Sequence, residues 1–440
     1  MQIEDLTLVS VDDHVVEPAE MFTRHLPARW QEQAPHVVRA PSGADMWLWG
    51  EQAGMNFGLN AVAGRPPEEY GMNPMSFGEM RDGCYDIHAR VRDMDVNGVL
   101  GSMCFPSFPG FAGRMFHAAG QAGDESALPV LQAYNDWHVD EWCGTYPGRF
   151  IPLAVAPIWD QDAMVAEVRR MAAKGCHAFT FSENPEKTGF PSLHNEWWDP
   201  FWAACADEGT IVCFHIGSSS EIPITSIESP IDVTLTLMPV NIVQVAADLI
   251  WSDFLRRYPL HVSLSEGGIG WVPYFLERVD RTYRQQHRWT GQDFGGKLPS
   301  EVFREHVVTC FVQDRIGVEL RHEVGLDTIT WEVDYPHSDS TWPHSPEAFA
   351  EQLAGVPDDE VRKIGSENAM RHFRFDPYTH RPPERCTVGA LRAEAAGVDI
   401  TVRSAGTPVS RPERPVRIAD IAAMSGSRTC LLYTSDAADE

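Results

Sequence analysis

The chain has 440 residues, which is compatible with one large domain as well as with several small ones. Apolar residues make up 43% and charged residues 22%, values typical of a globular protein, and they exclude a wholly disordered chain. The formal net charge of −28 repels phosphate backbones and anionic lipid surfaces, so nucleic acid and membranes are not expected partners.

Short apolar, β-branched runs alternate with longer segments of helical periodicity, a pattern typical of a parallel sheet built from βα units. Eight runs are predicted as buried strands, because a strand covered on both faces is apolar along its length. These are 6–14, 99–107, 150–159, 176–184, 210–218, 260–268, 306–314 and 328–336. The predicted helices are 86–96, 125–145, 161–174, 196–208, 231–257, 271–287, 315–325 and 346–373.

Eight such units predict an α/β fold of the closed (β/α)8, or TIM, barrel type over residues 1–375. An open doubly wound sheet is the alternative. However, no glycine-rich phosphate loop follows the first strand, and charged residues stand at the ends of several different strands. These two features favour the barrel.

Two segments lie outside the repeating units. Residues 30–85 form an insertion after the first strand, in which 46–59 predicts a small hairpin, and its position over the barrel mouth makes it a candidate lid. The Pro-rich residues 376–424 are predicted as a C-terminal extension that either wraps around the barrel or is flexible. Residues 425–440 bear no relation to the preceding pattern and are interpreted as a non-native tail.

Metal-ligating side chains stand at the ends of three separate predicted strands. Asp12 and His14 end the first strand, His215 ends the fifth and Asp334 ends the eighth. Alternation along a strand places residues 12 and 14 on one face, and a barrel gathers the carboxyl ends of its strands at one rim. We therefore expect these four side chains to bind one metal ion.

Two imidazoles and two carboxylates suit Zn²⁺ or Mn²⁺ and leave coordination positions for water and substrate. A divalent ion lowers the pKa of a bound water and polarises a substrate oxygen. Asp334 is then predicted to act both as a ligand and as a general base, on a small-molecule substrate.

Five motifs, in register from residue 5 to residue 375, resemble the amidohydrolase-2 family of the amidohydrolase superfamily, which includes the aminocarboxymuconate semialdehyde decarboxylase-like enzymes. The motifs are DDHVVEP (12–18), RVRDMDVNGV (90–99), FHIGSS (214–219), SEGGIGWVPYFLERVD (265–280) and EVDYPHSDSTWPHS (332–345). The resemblance implies a (β/α)8 barrel and one divalent metal ion, bound at the positions of Asp12, His14, His215 and Asp334.

The sequence departs from this family on the sixth strand, where many decarboxylases carry a catalytic His and this chain has Ser265-Glu266-Gly267. Glu266 is predicted to act as an acid/base, because a buried carboxyl can take the role of an imidazole. The alternative for Glu266 is a structural carboxylate that binds backbone amides of the following turn.

Three further residues are candidates on position alone. Glu183 ends the fourth strand, where binuclear relatives hold a bridging carboxylate, so it is a candidate ligand for a second metal ion. His337 and His194 lie in loops at the predicted pocket and are candidate substrate contacts, with loop capping as the alternative for His337.

Three functions remain open. Metal-activated water could hydrolyse an ester, lactone or amide of a small carboxylated or aromatic-derived substrate. A non-oxidative decarboxylase is the alternative, and the missing sixth-strand His favours hydrolysis over it. A barrel that has lost catalysis and only binds ligands is the third.

The nine scattered cysteines form no Cys-x-x-Cys pair, which favours reduced thiols in a cytoplasm over disulfides. The N-terminus lacks the pattern of a signal peptide, and no run approaches the ~18 apolar residues of a membrane span. We expect a cytoplasmic enzyme. The Trp-containing insertion is a candidate homodimer interface.

Overall fold

The computed structural model describes residues 1–219, 222–406 and 412–424, so the predicted non-native tail 425–440 lies outside the described residues. The strands, numbered in chain order, are β1 (Val9–Val15), β2 (His36–Arg39), β3 (Asp45–Trp49), β4 (Gln52–Met55), β5 (Gly101–Pro106), β6 (Phe150–Ile151), β7 (Ala154–Val155), β8 (Ala178–Ser182), β9 (Ile211–His215), β10 (Val262–Ser265), β11 (Val307–Phe311) and β12 (Ile329–Trp331).

The main sheet is a closed parallel barrel. Its order is β6-β5-β1-β12-β11-β10-β9-β8-β7, and every neighbouring pair in it is parallel. The two terminal members, β6 and β7, are successive parts of one strand interrupted at Pro152, which has no N–H to donate to a ladder. Because both ends of the sheet belong to the same strand, eight strands close a ring. The predicted (β/α)8 barrel is confirmed.

The α-helices alternate with the strands. They are α1 (Met21–His25), α2 (Ile87–Asn97), α3 (Arg114–Gln121), α4 (Ala127–Asp136), α5 (Gln161–Ala173), α6 (Asp199–Glu208), α7 (Ile231–Trp251), α8 (Phe254–Arg257), α9 (Val272–Thr290), α10 (Pro299–His306), α11 (Arg315–Glu319), α12 (Arg321–Val324), α13 (Ser345–Gln352), α14 (Asp358–Arg362), α15 (Asn368–His372), α16 (Val388–Glu394) and α17 (Ile418–Met424), with π-helical turns at Trp137–Cys143 and Lys363–Glu367.

Most predicted helices occur, with three corrections. The predicted helix 231–257 ends at Trp251 because Ser252 adopts extended backbone, and the chain resumes as α8. The segment 346–373 is divided into α13, α14 and α15, and 315–325 into α11 and α12. Helices α1, α3, α10, α16 and α17 were not predicted.

The barrel interior is apolar except at its carboxyl end. Side chains such as Val9, Met103 and Ile211 form this interior cluster, together with Phe373 and Phe375 from the segment after α15. Gly101 allows that approach, because a Cβ there would lie 2.7 Å from the Phe375 ring. The opposite, carboxyl end carries the polar residues.

The insertion after β1 forms its own antiparallel sheet in the order β2-β3-β4. The predicted hairpin is present as β3 and β4, whereas the third strand, β2, was not predicted. The insertion rests on the loop that follows β12, since Val62 N donates to Pro336 O at 2.9 Å and Ser338 N donates to Leu59 O at 2.8 Å.

The described parts of the C-terminal extension dock on the barrel and on the insertion. Val388 N donates to Leu6 O at 2.8 Å, Arg403 N to Gly64 O at 2.9 Å, and Ile231 N to Val416 O at 2.9 Å. These contacts favour the wrapping alternative for residues up to 406 and for 412–424.

Among the described residues, α7 alone is long and apolar enough to cross a membrane, with a mean hydropathy of 1.6. The core helix of a soluble protein can also reach this length and hydropathy. The second half of α7 carries buried residues such as Ile242, Val245 and Leu249.

Glu17, in the DDHVVEP motif, is a buried carboxylate that anchors the loop after β5. It accepts hydrogen bonds from Ser107 N at 2.9 Å and Phe108 N at 2.7 Å, and from the Tyr134 hydroxyl at 3.3 Å. Burial nevertheless raises the pKa of Glu17 to about 7, against the opposing effect of these donors.

A pH dependence of stability follows from this shift. The folded state holds the Glu17 proton more firmly than the unfolded state, so the contribution of Glu17 to stability falls as pH rises from about 4.5 to about 7. The fall should reach about 3 kcal/mol. The free energy of unfolding of wild type and Glu17→Gln, measured by denaturant titration at pH 5 and pH 8, should show a steeper decrease in wild type. Equal decreases would contradict the raised pKa.

Candidate metal centre

Two buried histidines meet at the carboxyl end of the barrel. His14 on β1 and His215 on β9 face each other, with their Nε2 atoms 3.2 Å apart. The Nδ1 of His215 lies 2.7 Å from the carbonyl oxygen of Ile216 and therefore donates to it. The lone pair of His215 Nε2 is thus directed towards His14, and two facing imidazole nitrogens are an arrangement that a shared cation stabilises.

Two carboxylates complete the set. Asp12 lies where the pairing of β1 with β5 shifts register, and its Oδ1 and Oδ2 are 3.6 Å from His14 Nε2 and 3.5 Å from His215 Nε2. Asp334, three residues beyond β12, places Oδ1 3.4 Å from His14 Nε2. The structure therefore brings together the four side chains predicted as metal ligands.

The unsatisfied polar atoms of this cluster fit a bound cation. Asp12, Asp334, His14 and His215 are fully buried. Both carboxylate oxygens of Asp12 and both of Asp334 lack a hydrogen-bond partner among the described residues. Buried carboxylates without donors are costly unless a cation compensates their charge. The donor set of two nitrogens and carboxylate oxygens suits Zn²⁺ or Mn²⁺.

Electrostatics supports the same interpretation. Burial lowers the pKa of His215 to about 3 and that of His337 to about 4. Burial, followed by the neighbouring His337 and His215, also lowers the pKa of His14. These imidazoles are therefore neutral at physiological pH, which is the form that binds metal ions.

Glu266 borders the cluster at its solvent side. Its Oε2 lies 3.3 Å from His215 Nε2, and one fifth of its side chain is exposed. Burial, then the negative charge of Asp334, raises its pKa well above the usual range of a glutamate. A carboxyl that keeps its proton near neutral pH can act as a general acid, and this role of Glu266 stays a prediction.

His337 joins the cluster as well. Its ring stacks on that of His14 with centroids 3.6 Å apart, and its Nδ1 lies 2.9 Å from Asp334 Oδ1. His14, Glu266, Asp334 and His337 could also hold an ion together, because their ligand atoms lie within 4.8 Å of one another. Phe111, half-buried in the loop after β5, lies 4.4 Å from the His215 ring between centroids and forms an aromatic wall.

Glu332, a buried acid one residue beyond β12, was not predicted as a site residue. Its Oε2 accepts hydrogen bonds from the Cys310 thiol at 2.6 Å and from Glu266 N at 3.3 Å. Burial raises its pKa to about 8. Alternation would have indicated it, because residues 332 and 334 share one face of an extended chain.

The structure does not bring the other two candidates to this cluster. Nε2 of His194 lies 3.2 Å from Asp248 Oδ1, and nearly half of the His194 side chain is exposed. The Glu183 carboxylate is already occupied, since it accepts hydrogen bonds from the Ser218 hydroxyl, from Ser219 Oγ at 2.6 Å and from Ser219 N at 2.5 Å. Because three protein donors bind it, the Glu183 carboxylate is in the environment of a structural carboxylate.

The cluster is strongly acidic. Four carboxyl groups converge there: Asp12, Glu266, Glu332 and Asp334. Among residues 1–219, 222–406 and 412–424, no lysine or arginine forms an ion pair with any of them.

Comparisons with known proteins concern the family and the fold of the chain. Residues 36–375 match the model of a family described as Amidohydrolase. No curated protein matches the chain significantly.

Solved structures share the fold at low identity. An amidohydrolase from Mycobacterium avium subsp. paratuberculosis K-10 is 22% identical, with a TM-score of 0.65 over 84% of this chain and 99% of that one. A 2,6-dihydroxybenzoate decarboxylase from Rhizobium is 17% identical, with a TM-score of 0.53 over 84% and 99%. A 5-carboxyvanillate decarboxylase from Novosphingobium aromaticivorans, complexed with manganese and 4-hydroxy-3-methoxy-5-nitrobenzoic acid, is 17% identical, with a TM-score of 0.58 over 85% and 99%.

Proposed function

The chain belongs to the amidohydrolase family, and from this premise we propose that the enzyme is a metal-dependent hydrolase of an ester, lactone or amide of a small organic molecule. The observation that carries this proposal is the acidic cluster without lysine or arginine partners. Among the described residues, no lysine or arginine pairs with this cluster to bind a substrate carboxylate, whereas an uncharged carbonyl group needs no such partner.

We propose one divalent ion, Zn²⁺ or Mn²⁺, held by Asp12, His14, His215 and Asp334. When bound, such an ion lowers the pKa of a water and polarises a carbonyl oxygen. Manganese in the similar decarboxylase structure supports Mn²⁺.

The residues of the chain have separate roles in this proposal. Asp334 accepts a proton at a carboxylate oxygen, and the His337 ring borders that carboxylate, with Nδ1 2.9 Å from Oδ1. Glu266, on the exposed side, donates its proton to the leaving group. The ring of Phe111 packs against an apolar part of the substrate, which excludes water from the reacting carbonyl.

Non-oxidative decarboxylation is the second candidate, because two of the similar structures are named as decarboxylases. In that reaction the acid, Glu266, would protonate the carbon that loses CO₂. A barrel without catalysis is the third candidate, and the intact metal-ligand set speaks against it.

The test combines metal analysis with two activity assays. We expect about one Mn or Zn per chain and hydrolysis of some members of a panel of aryl esters and lactones, lost with EDTA and restored by Mn²⁺. CO₂ release from 2,6-dihydroxybenzoate or 5-carboxyvanillate without hydrolysis would favour the second candidate. Metal binding without either activity would favour the third, and no metal under any loading condition would contradict the metal-dependent mechanism.

We further propose a cytoplasmic homodimer that binds neither nucleic acid nor membranes. Eight cysteines of the described residues are free and buried, which fits a reducing compartment. We propose that the insertion 30–85 acts as a wall of the active site, supported by its hydrogen bonds to the loop that follows Asp334. Sedimentation equilibrium would test the dimer.

A further inference from the structure

The two candidate catalytic carboxylates stand on unusual backbone. Among the described residues, the non-glycine residues with positive φ are Glu266 at 60°, Asp334 at 57° and Arg374 at 54°. Two of these three belong to the metal centre. Left-handed backbone is strained for a non-glycine residue, so neighbouring contacts must hold it in place.

Three hydrogen bonds join Asp334 and Tyr335 to the Asp12-Asp13-His14 sequence of β1, while His337 N donates to Asp334 O and Val333 N donates to Ser10 Oγ, each at 2.9 Å. Asp334 N donates to Asp12 O at 2.9 Å, and His14 N donates to Tyr335 O at 2.7 Å. Tyr335 N donates to Asp13 Oδ1 at 2.9 Å. Of the three bonds to residues 12–14, the first two join backbone atoms, which any residue supplies, so only the third depends on a side chain.

Asp13 is suited to this role because its carboxylate is buried and does not belong to the grouped ligand atoms of the metal centre. Its side chain accepts hydrogen bonds from the Ser102 hydroxyl on β5 and from Tyr335 N, and it lies near the Arg90 guanidinium. Arg90 in turn donates to the carbonyl oxygen of His14 and lies 4.4 Å from the Tyr335 ring centroid. One carboxylate therefore ties β1, β5 and the segment after β12 together.

We propose that Asp13 is a positioning residue that fixes the backbone of Asp334, and thereby the distance between the carboxylate of Asp334 and the imidazole of His14. The proposal rests on the proposed metal site, because its effect is exerted on the geometry of the metal ligands. This role accounts for the burial of the Asp13 carboxylate, which is not itself a candidate metal ligand.

The test measures metal binding rather than turnover. Asp13→Ala removes the acceptor of Tyr335 N, and we expect its Kd for Mn²⁺, from electron paramagnetic resonance of free Mn²⁺, to rise about 10- to 100-fold. The visible absorption of the Co²⁺-loaded protein should change as well, because the ligand geometry changes. Asp13→Asn retains a carbonyl oxygen for Tyr335 N and should stay within about threefold of wild type, below the range seen when a supporting contact is lost.

Ser102→Ala is the matched control, since it removes a different hydrogen bond to the same carboxylate and leaves the Tyr335 contact intact. It should bind Mn²⁺ like wild type. Wild-type affinity and an unchanged Co²⁺ spectrum in Asp13→Ala would overturn the proposal. If Asp13→Ala does not fold, Asp13→Asn decides, because a tenfold loss of affinity in that folded variant would overturn it too. If the wild-type protein binds no metal, the proposed function is refuted, and the role of Asp13 with it.

Discussion

Replacement of His215 by alanine is expected to remove the metal ion and all measurable activity. His215 Nε2 lies 3.2 Å from His14 Nε2 and 3.5 Å from Asp12 Oδ2, so its loss opens one side of the ligand set. The affinity for Mn²⁺ should fall by more than about 100-fold, because the loss of a residue that only supports a ligand already costs up to about 100-fold. Elemental analysis after dialysis, with Mn²⁺ titration, measures this change.

A second buried histidine provides the control for His215→Ala. His117 is also buried, donates from Nε2 to the carbonyl oxygen of Ala156 at 2.9 Å, and has a pKa lowered to about 4 by burial. It does not belong to the cluster. His117→Ala should keep its metal, although it leaves a cavity. If both variants lose metal equally, the loss reflects damage to the fold and His215 is not a ligand.

Replacement of Glu266 by glutamine is expected to separate catalysis from metal binding. The amide cannot donate a proton to a leaving group, so kcat should fall by about 10²–10⁴-fold. Metal content should stay near that of wild type, because Glu266 borders the ligand set at its exposed side. The measurements are kcat on the best substrate of the hydrolysis panel and elemental analysis of the same sample.

Glu183→Gln is the matched control for Glu266→Gln, because Glu183 is a buried carboxylate at the end of β8 that is bound by serines. It should retain both metal and most of the kcat. A loss of metal in Glu183→Gln would restore Glu183 as a candidate ligand. Unchanged kcat in Glu266→Gln would assign Glu266 a purely structural role.

The fold was largely predictable from sequence because each buried strand is a continuous apolar run between amphipathic helices. The elements that escaped prediction lack that signal. Strand β2 has four residues that are all at least partly exposed, and its pairing with β3 is determined by tertiary contacts. Helix α10 runs directly into β11 without a turn residue, so its short pattern merged with the strand.

The candidate ligands were predictable because a barrel brings strand ends together, whatever the sequence separation. Asp12 and Asp334 are far apart along the chain and adjacent in space for that reason. The loop residues could not be located by the same reasoning. His194 lies in a long loop whose path is fixed by neighbours such as Asp248, and no periodicity in the sequence encodes that path.

The interruption at Pro152 divides the hydrogen bonding of one barrel strand between its neighbours. Residues 150–151 pair only with β5, and residues 154–155 pair only with β8. We call residues 150–155 the seam. Their amide hydrogens should exchange with solvent after local openings that cost less free energy than openings of the other strands. In the ring, the seam is separated by one strand from β1 and by one strand from β9. A local opening at the seam would leave β1, β9 and the segment after β12 paired.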